Sequence, residues 1–338
     1  MASDSDTTQA ADQLLNTARE AEAAGDLDRA LGFFRALAEV EPAQPRWRLE
    51  AIRVLRKADR EPEAAQAMKR VMRRWPKLLA SPLFAEVLPE VVPTDEKHRK
   101  ALGDDVPRDD ELKRPVIEDD GVADVIIGRG GRKAAVLVFT GLADRMVMPL
   151  PLFDRYLAEL DLTSIFLRDR KRLGFFGGVA SLGDYEETLA SLRAQLDEMG
   201  IERVHTLGNS AGGMGAVTYG LDLDAKQVLG FSAPVALLDK TDLVDRRTVV
   251  FNQRMIKHVP ESRRDLKARI EAHPGETHIH LFFGEHMPED RYHAASLEGI
   301  RNVHLHALPG LAGHGALFSM GQTGKLRALF RETFGEKD

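Results

Sequence analysis

Residues 204–214 read Val-His-Thr-Leu-Gly-Asn-Ser-Ala-Gly-Gly-Met, and the reading of this stretch decides the fold. Val204–Leu207 is a short run with β-branched residues, of the kind that forms a strand. The glycines after it break the run, and a helical pattern follows from Met214 to Leu221. The motif is Gly-x-Ser-x-Gly, set between a strand and a helix. Gly208 and Gly212 are expected where side chains would collide across a sharp turn. Ser210 would then stand clear of its neighbours. Its hydroxyl becomes a nucleophile only when a base takes its proton. The helix that follows would aim its free N–H groups and positive dipole end at the same place. A glycine-rich turn of this kind also suits close helix packing or a phosphate. Neither a Gly-Lys-Ser/Thr nor a Gly-x-Gly-x-x-Gly pattern supports the phosphate reading.

Working outward, short β-branched and aromatic runs alternate with longer amphipathic stretches. The predicted strands are Asp124–Ile127, Ala135–Thr140, Ser164–Leu167, Val204–Leu207, Gln227–Phe231, His278–Phe283 and Val303–Ala307. Helical patterns lie between most of them, as at Asp184 to Met199, and another closes the chain from Gly324 to Phe334. This alternation predicts an α/β domain with a doubly wound, mostly parallel sheet. In such sheets ligands collect at the carboxyl ends of the strands. After His278–Phe283 come two carboxylates, Glu285 near the strand end and Asp290 at the start of a helical pattern. After Val303–Ala307 comes a loop whose single histidine, His314, is flanked by glycines. A serine, then an acid, then a histidine, each after a strand, is an order that supports acyl chemistry.

Turn, alternation and residue order together resemble the α/β-hydrolase superfamily, over about residues 116–338. The resemblance implies a serine hydrolase of the esterase, thioesterase or acyltransferase type. Ser210 would attack, His314 would act as general base and then acid, and Asp290, or alternatively Glu285, would hold the imidazole tautomer. The oxyanion hole would use the N–H groups of Ala211 and of Leu142, in the loop after Ala135–Thr140. The lipase-type His-Gly-Gly-Gly sequence is absent from that loop, which speaks against lipase-like or simple esterase specificity and leaves the fold intact. Gly141, Arg168 and Asn209 would line the substrate. Arg168 offers a planar fork to an anionic group; a solvated run of loop charges is the other reading of Arg168-Asp169-Arg170. No cofactor or metal is implied. His278 with His280 and His304 with His306 alternate on two strands and read as polar strand faces rather than as zinc ligands. The long connection from Val235 to Gly275, with Arg246, Arg247, Asn252 and Arg254, suits either a cap over the pocket or a surface helix.

The first ninety residues differ. Ala30, Phe34, Leu37 and Pro42 are matched 34 residues later by Ala64, Met68, Val71 and Pro76, and Gly25-Asp26 by Asp59-Arg60. A two-helix unit of this period resembles the tetratricopeptide repeat. In that family small residues let paired helices approach and the proline ends the second helix. The expected organisation is a helical-repeat domain at 8–92, a charged linker at 93–114 and a catalytic domain at 115–338. The repeats would serve partner docking, substrate docking or self-association. A non-catalytic scaffold working through the repeats is the competing function.

The totals narrow the field further. The chain has 338 residues, 43% hydrophobic and 30% charged, with a net charge of −6. A nucleic-acid binder would usually carry a basic surplus. There is no cysteine, which excludes disulfides and thiolate chemistry. No signal-like start and no apolar run long enough for a membrane span are seen, so a cytoplasmic enzyme acting on a small or acylated substrate is expected.

Overall fold

A computed structural model describes residues 4–75, 78, 82–87, 95–236 and 249–335. The chain divides into two units, Met1–Pro93 and Thr94–Asp338. No described helix is long and apolar enough to cross a membrane.

The first unit holds α1 (Asp4–Ala23), α2 (Leu27–Val40), α3 (Arg46–Lys57), α4 (Glu61–Arg74) and α5 (Pro82–Val87). Helices α2 and α4 begin and end 34 residues apart, as the sequence period requires. The turns repeat too. Gly25 and Asp59 occupy equivalent positions, and both have positive φ. After each, an N–H reaches back to the preceding helix, Asp26 to Ala21 and Arg60 to Leu55. This is a left-handed closure that caps the last free carbonyls. Ala30 and Ala64 are buried at the helix contacts, with Phe34, Leu37 and Val71 filling the core. Pro76 lies outside the described residues.

The second unit is built on a seven-stranded sheet. Its strands are β1 (Val125–Gly128), β2 (Ala134–Phe139), β3 (Thr163–Leu167), β4 (Arg203–Asn209), β5 (Gln227–Phe231), β6 (His278–Gly284) and β7 (Val303–Leu308). Their order is β1-β3-β2-β4-β5-β6-β7. Only β1 runs antiparallel; every other pairing is parallel. All seven predicted strands are present, within two residues at their ends. Strand β2 reads Ala-Ala-Val-Leu-Val-Phe and is buried throughout, as a strand covered on both faces must be.

The helices are α6 (Asp95–Leu102), α7 (Leu150–Glu159), α8 (Tyr185–Glu198), α9 (Ala211–Asp222), α10 (Val249–His258), α11 (Glu261–Arg264), α12 (Leu266–Ala272), α13 (Pro288–Ala295), α14 (Ala316–Gln322) and α15 (Leu326–Phe334). Ala135, Leu137 and Phe139 of β2 pack on one side with α8, α9, α10 and α12. Ala134, Val136 and Val138 pack on the other with α7, α14 and α15. The period-two alternation of the strand thus feeds two separate cores.

One expectation changes here. Within the stretch expected as a linker, residues 95–114 are packed into the second unit. Leu102 and Val106 are buried in the second core, and Arg114 is buried in a bidentate pair with Asp154. The many charges hid this, because most of them are exposed while a few apolar positions do the packing. In the connection after Val235, residues 237–248, including Arg246 and Arg247, lie outside the described residues. The described part, α10 to α12, buries Met255, Val259, Leu266 and Ile270 against the α8–α9 side. Asn252 is buried there as well.

Candidate active site

Strand β4 ends at Asn209 and α9 begins at Ala211, so a single residue turns the chain. That residue, Ser210, has φ 53° and ψ −125°. A non-glycine residue in this region is strained, and the surroundings must hold it there. They do so through its own backbone. Its N–H donates to Phe231 at the end of β5 (2.8 Å), and its carbonyl accepts from Gly213 (2.8 Å). The two glycines are explained by contact. A Cβ on Gly208 would lie 2.1 Å from the Gly212 carbonyl oxygen, and one on Gly212 would lie 2.1 Å from that of Phe139. Both obstacles are backbone, so neither can yield.

His314 sits in the loop between β7 and α14. Its Nε2 is 2.8 Å from Ser210 Oγ. Its Nδ1 is 2.8 and 3.0 Å from the two carboxylate oxygens of Asp290. An ionised carboxylate only accepts, so Nδ1 carries the proton and Nε2 presents its lone pair to the serine. Asp290 lies in the first turn of α13 and is only 2% exposed. Its charge is favoured by the positive end of that helix. The His314 side chain is 32% exposed, so the serine–histidine end of the chain is open to solvent.

The histidine loop is stitched to the segment after β6. Glu285 and His286 N–H groups donate to the carbonyls of Leu308 and Leu311. A Cβ on Gly284 would meet the Leu311 carbonyl oxygen at 2.7 Å, so only glycine admits the loop this closely. Glu285, the other acid weighed from sequence, does not reach the imidazole. It accepts the N–H of Gly310 at 2.9 Å and braces the loop instead. Ser232, which the sequence did not single out, follows β5 with φ 49° and accepts the Ala316 N–H at 3.4 Å.

The loop after β2 is equally fixed. The Gly141 carbonyl accepts from the Asp144 N–H, and the Gly141 N–H donates to Arg145. The Leu142 N–H shares a trans peptide plane with the Gly141 carbonyl and therefore points away from that bond. Arg172 donates to the Leu142 carbonyl, and with Arg170 it pairs Asp144. Leu142 is half-exposed, and neither its N–H nor that of Ala211 meets an acceptor among the described residues. The Ala211 N–H is free because it opens a helix. A Cβ on Gly141 would touch the Asn209 carbonyl at 3.3 Å, so this loop lies directly beside the turn that carries Ser210. Asn209 is buried.

Arg168 overturns its expected role. It is buried, and its guanidinium donates to the Ala123 and Asp144 carbonyls and to both oxygens of Asp119. Four of its five N–H groups are committed inside the protein, and the buried guanidinium is not presented to a substrate. Its neighbour Asp169 is buried too, accepts the Phe175 N–H and has its pKa raised by burial.

The sequence matches no protein-family model, and no curated protein is similar to it. Solved structures are similar to it. One is a Staphylococcus aureus protein assigned as an esterase, at 12% identity and TM-score 0.45, covering 74% of this chain and 99% of that one. MGS-MChE2, an α/β hydrolase enzyme from the metagenome of lagoon sediments of Mar Chica, Morocco, matches at 15% identity and TM-score 0.41 over 64% and 98%. The capsule O-acetyltransferase of Neisseria meningitidis serogroup A matches at 13% identity and TM-score 0.42 over 63% and 91%. At these identities the likeness is one of fold. The second unit is an α/β fold, a mostly parallel seven-stranded sheet with helices on both faces, and the first unit is all-helical.

Proposed function

We propose that the second unit is a serine-dependent acyl hydrolase working through an acyl-enzyme on Ser210. One observation carries this reading: the unbroken hydrogen-bonded chain from Ser210 Oγ through His314 to buried Asp290. In the first half-reaction Ser210 Oγ attacks the acyl carbon while its proton passes to His314 Nε2. Asp290 holds the imidazole in the right tautomer and stabilises the imidazolium. The oxyanion is received by the N–H groups of Ala211 and Leu142. Each such donor contributes roughly 3–4 kcal/mol in the transition state. His314 then returns the proton to the leaving group, whose bond to the acyl carbon breaks. In the second half-reaction water takes the serine's former part, with His314 as base, and the acid is released. The helical unit is read as a pair of tetratricopeptide-like hairpins that docks a protein segment.

Labelling with a fluorophosphonate tests the assignment. Wild type should label, and Ser210→Ala and His314→Ala should not, with short-chain ester turnover lost in parallel. Labelling or turnover that survives in Ser210→Ala would sink the reading.

A further inference from the structure

Four arginines converge on one groove of the helical unit. Arg35 of α2, Arg48 of α3, and Arg70 and Arg74 of α4 rim a cavity of about 430 Å³. Its floor is small and apolar, with Ala38, Ala51 and Val71 at its base. Trp75 forms one wall, and the guanidinium carbons of Arg48 and Arg74 lie over its indole at 5.3 and 4.8 Å. Arg48 is further fixed by donating to the carbonyls of Ala38 and Pro42. Arg35 and Arg70 are exposed and form no ion pair with any described residue. The lining holds one carboxylate, Glu39, against the four cations, so it is net positive by three. The chain as a whole is net negative, at −6.

We propose that this groove binds an acidic peptide segment. Carboxylates of the segment would pair with Arg35, Arg70 and Arg74, whose planar forks suit them. An apolar side chain between them would rest on the alanine floor beside Trp75. A nucleic acid is the weaker fit. The indole face on which a base would stack is covered by Arg48 and Arg74, and the acidic chain repels a long polyanion. The inference rests on reading the helical unit as a docking module and stands apart from the acyl-transfer reading, because none of these residues belongs to that site.

The test uses the full chain carrying Ser210→Ala and a fluorescein-labelled peptide, Glu-Glu-Leu-Glu-Glu, followed by fluorescence anisotropy at low salt. Saturable binding is expected, weakening as salt rises. Arg70→Glu with Arg74→Glu should weaken it roughly tenfold or more, and Arg35→Glu on a different helix should weaken it in the same direction. Far-UV circular dichroism and melting temperature check the fold; if charge reversal unfolds the helices, Arg70→Gln with Arg74→Gln replaces it. The proposal is overturned if the peptide does not bind, or if the lysine counterpart binds as well. It is equally overturned if the arginine variants bind unchanged, or if a single-stranded oligoribonucleotide binds more tightly than the peptide.

Discussion

Asp290 shows how much one buried side chain decides. Its carboxylate faces His314 Nδ1 from the first turn of α13, sealed from solvent. Asp290→Asn keeps the shape but can donate as well as accept, so it can stabilise the wrong imidazole tautomer. On the proposed mechanism kcat/KM should fall roughly 10³- to 10⁴-fold while the fold is kept. Glu285→Gln should cost far less, because it loosens only the brace on Gly310. Steady-state kinetics on both variants separates the two acids, and equal losses would contradict the assignment. Gly212→Ala tests the turn itself. Its Cβ would lie 2.1 Å from a backbone oxygen, so the variant should lose at least about 1–3 kcal/mol. A calorimetric melt reads this directly. The placement of Ser210 in a strand-to-helix turn and of His314 in the last loop is legible in the sequence, because glycine patterns and strand ends mark both places. The choice between Asp290 and Glu285 was not, because both follow the same strand and only the packing of α13 selects one. Arg168 was misread for a related reason. Its position after a strand said nothing of Asp119, which lies 49 residues earlier in the chain.

At the scale of elements, the edge of the sheet carries a device that strand alternation alone could place. On β6 His280 and Phe282 stand in register with His304 and His306 of β7. The rings stack in a ladder: His280 lies 4.6 Å from His304 and 5.3 Å from His306, and Phe282 lies 4.5 Å from His306. His280 also meets Gln227 Oε1 at 3.1 Å. Burial, and then the neighbouring imidazoles, lower the His280 pKa to about 4, and burial lowers that of His306. Buried His205, on the same sheet, is lowered to about 4 by desolvation, with Arg203 and Arg132 adding to it. Each folded value lies below the unfolded one, so the unfolded chain binds more protons in acid. The stabilisation is present above the unfolded value of about 6.5 and is lost as pH falls from there towards 4. Melting temperature should drop across that window, and His280→Gln with His306→Gln should flatten the drop. An unchanged slope in the double variant would show that other groups govern it. Strand β7 leads straight into the loop of His314, so activity should decline with it. The alternation of the histidines was visible in the sequence, but their stacking depends on the β6–β7 register, which the sequence does not state.

At the scale of the whole chain, the boundary lies where charge composition misled. A charged stretch reads as linker, yet Arg114 sends its guanidinium to Asp154, Ser164 and the Leu162 carbonyl. Asp154 is fully buried and also accepts the Ile117 N–H and the Ser164 hydroxyl. Arg114 is the one cation against that carboxylate among the described residues. Removing one member of such a pair strands the other, at a cost of roughly 3–5 kcal/mol. Losing Leu102 and Val106 from the core adds about 1.5–3 kcal/mol for each. A domain holds only about 5–15 kcal/mol in total. Two truncations therefore diverge. A chain starting at Thr94 keeps α6, Arg114 and both apolar anchors, and should fold and label with a fluorophosphonate. A chain starting at Pro115, where the composition changes, keeps every strand and every proposed catalytic residue but leaves Asp154 buried and uncompensated. It should melt far lower or fail to fold. Soluble yield and melting temperature of the two proteins decide the matter. Equal stability would mean that the pair is dispensable and that residues 94–114 belong to no folded unit.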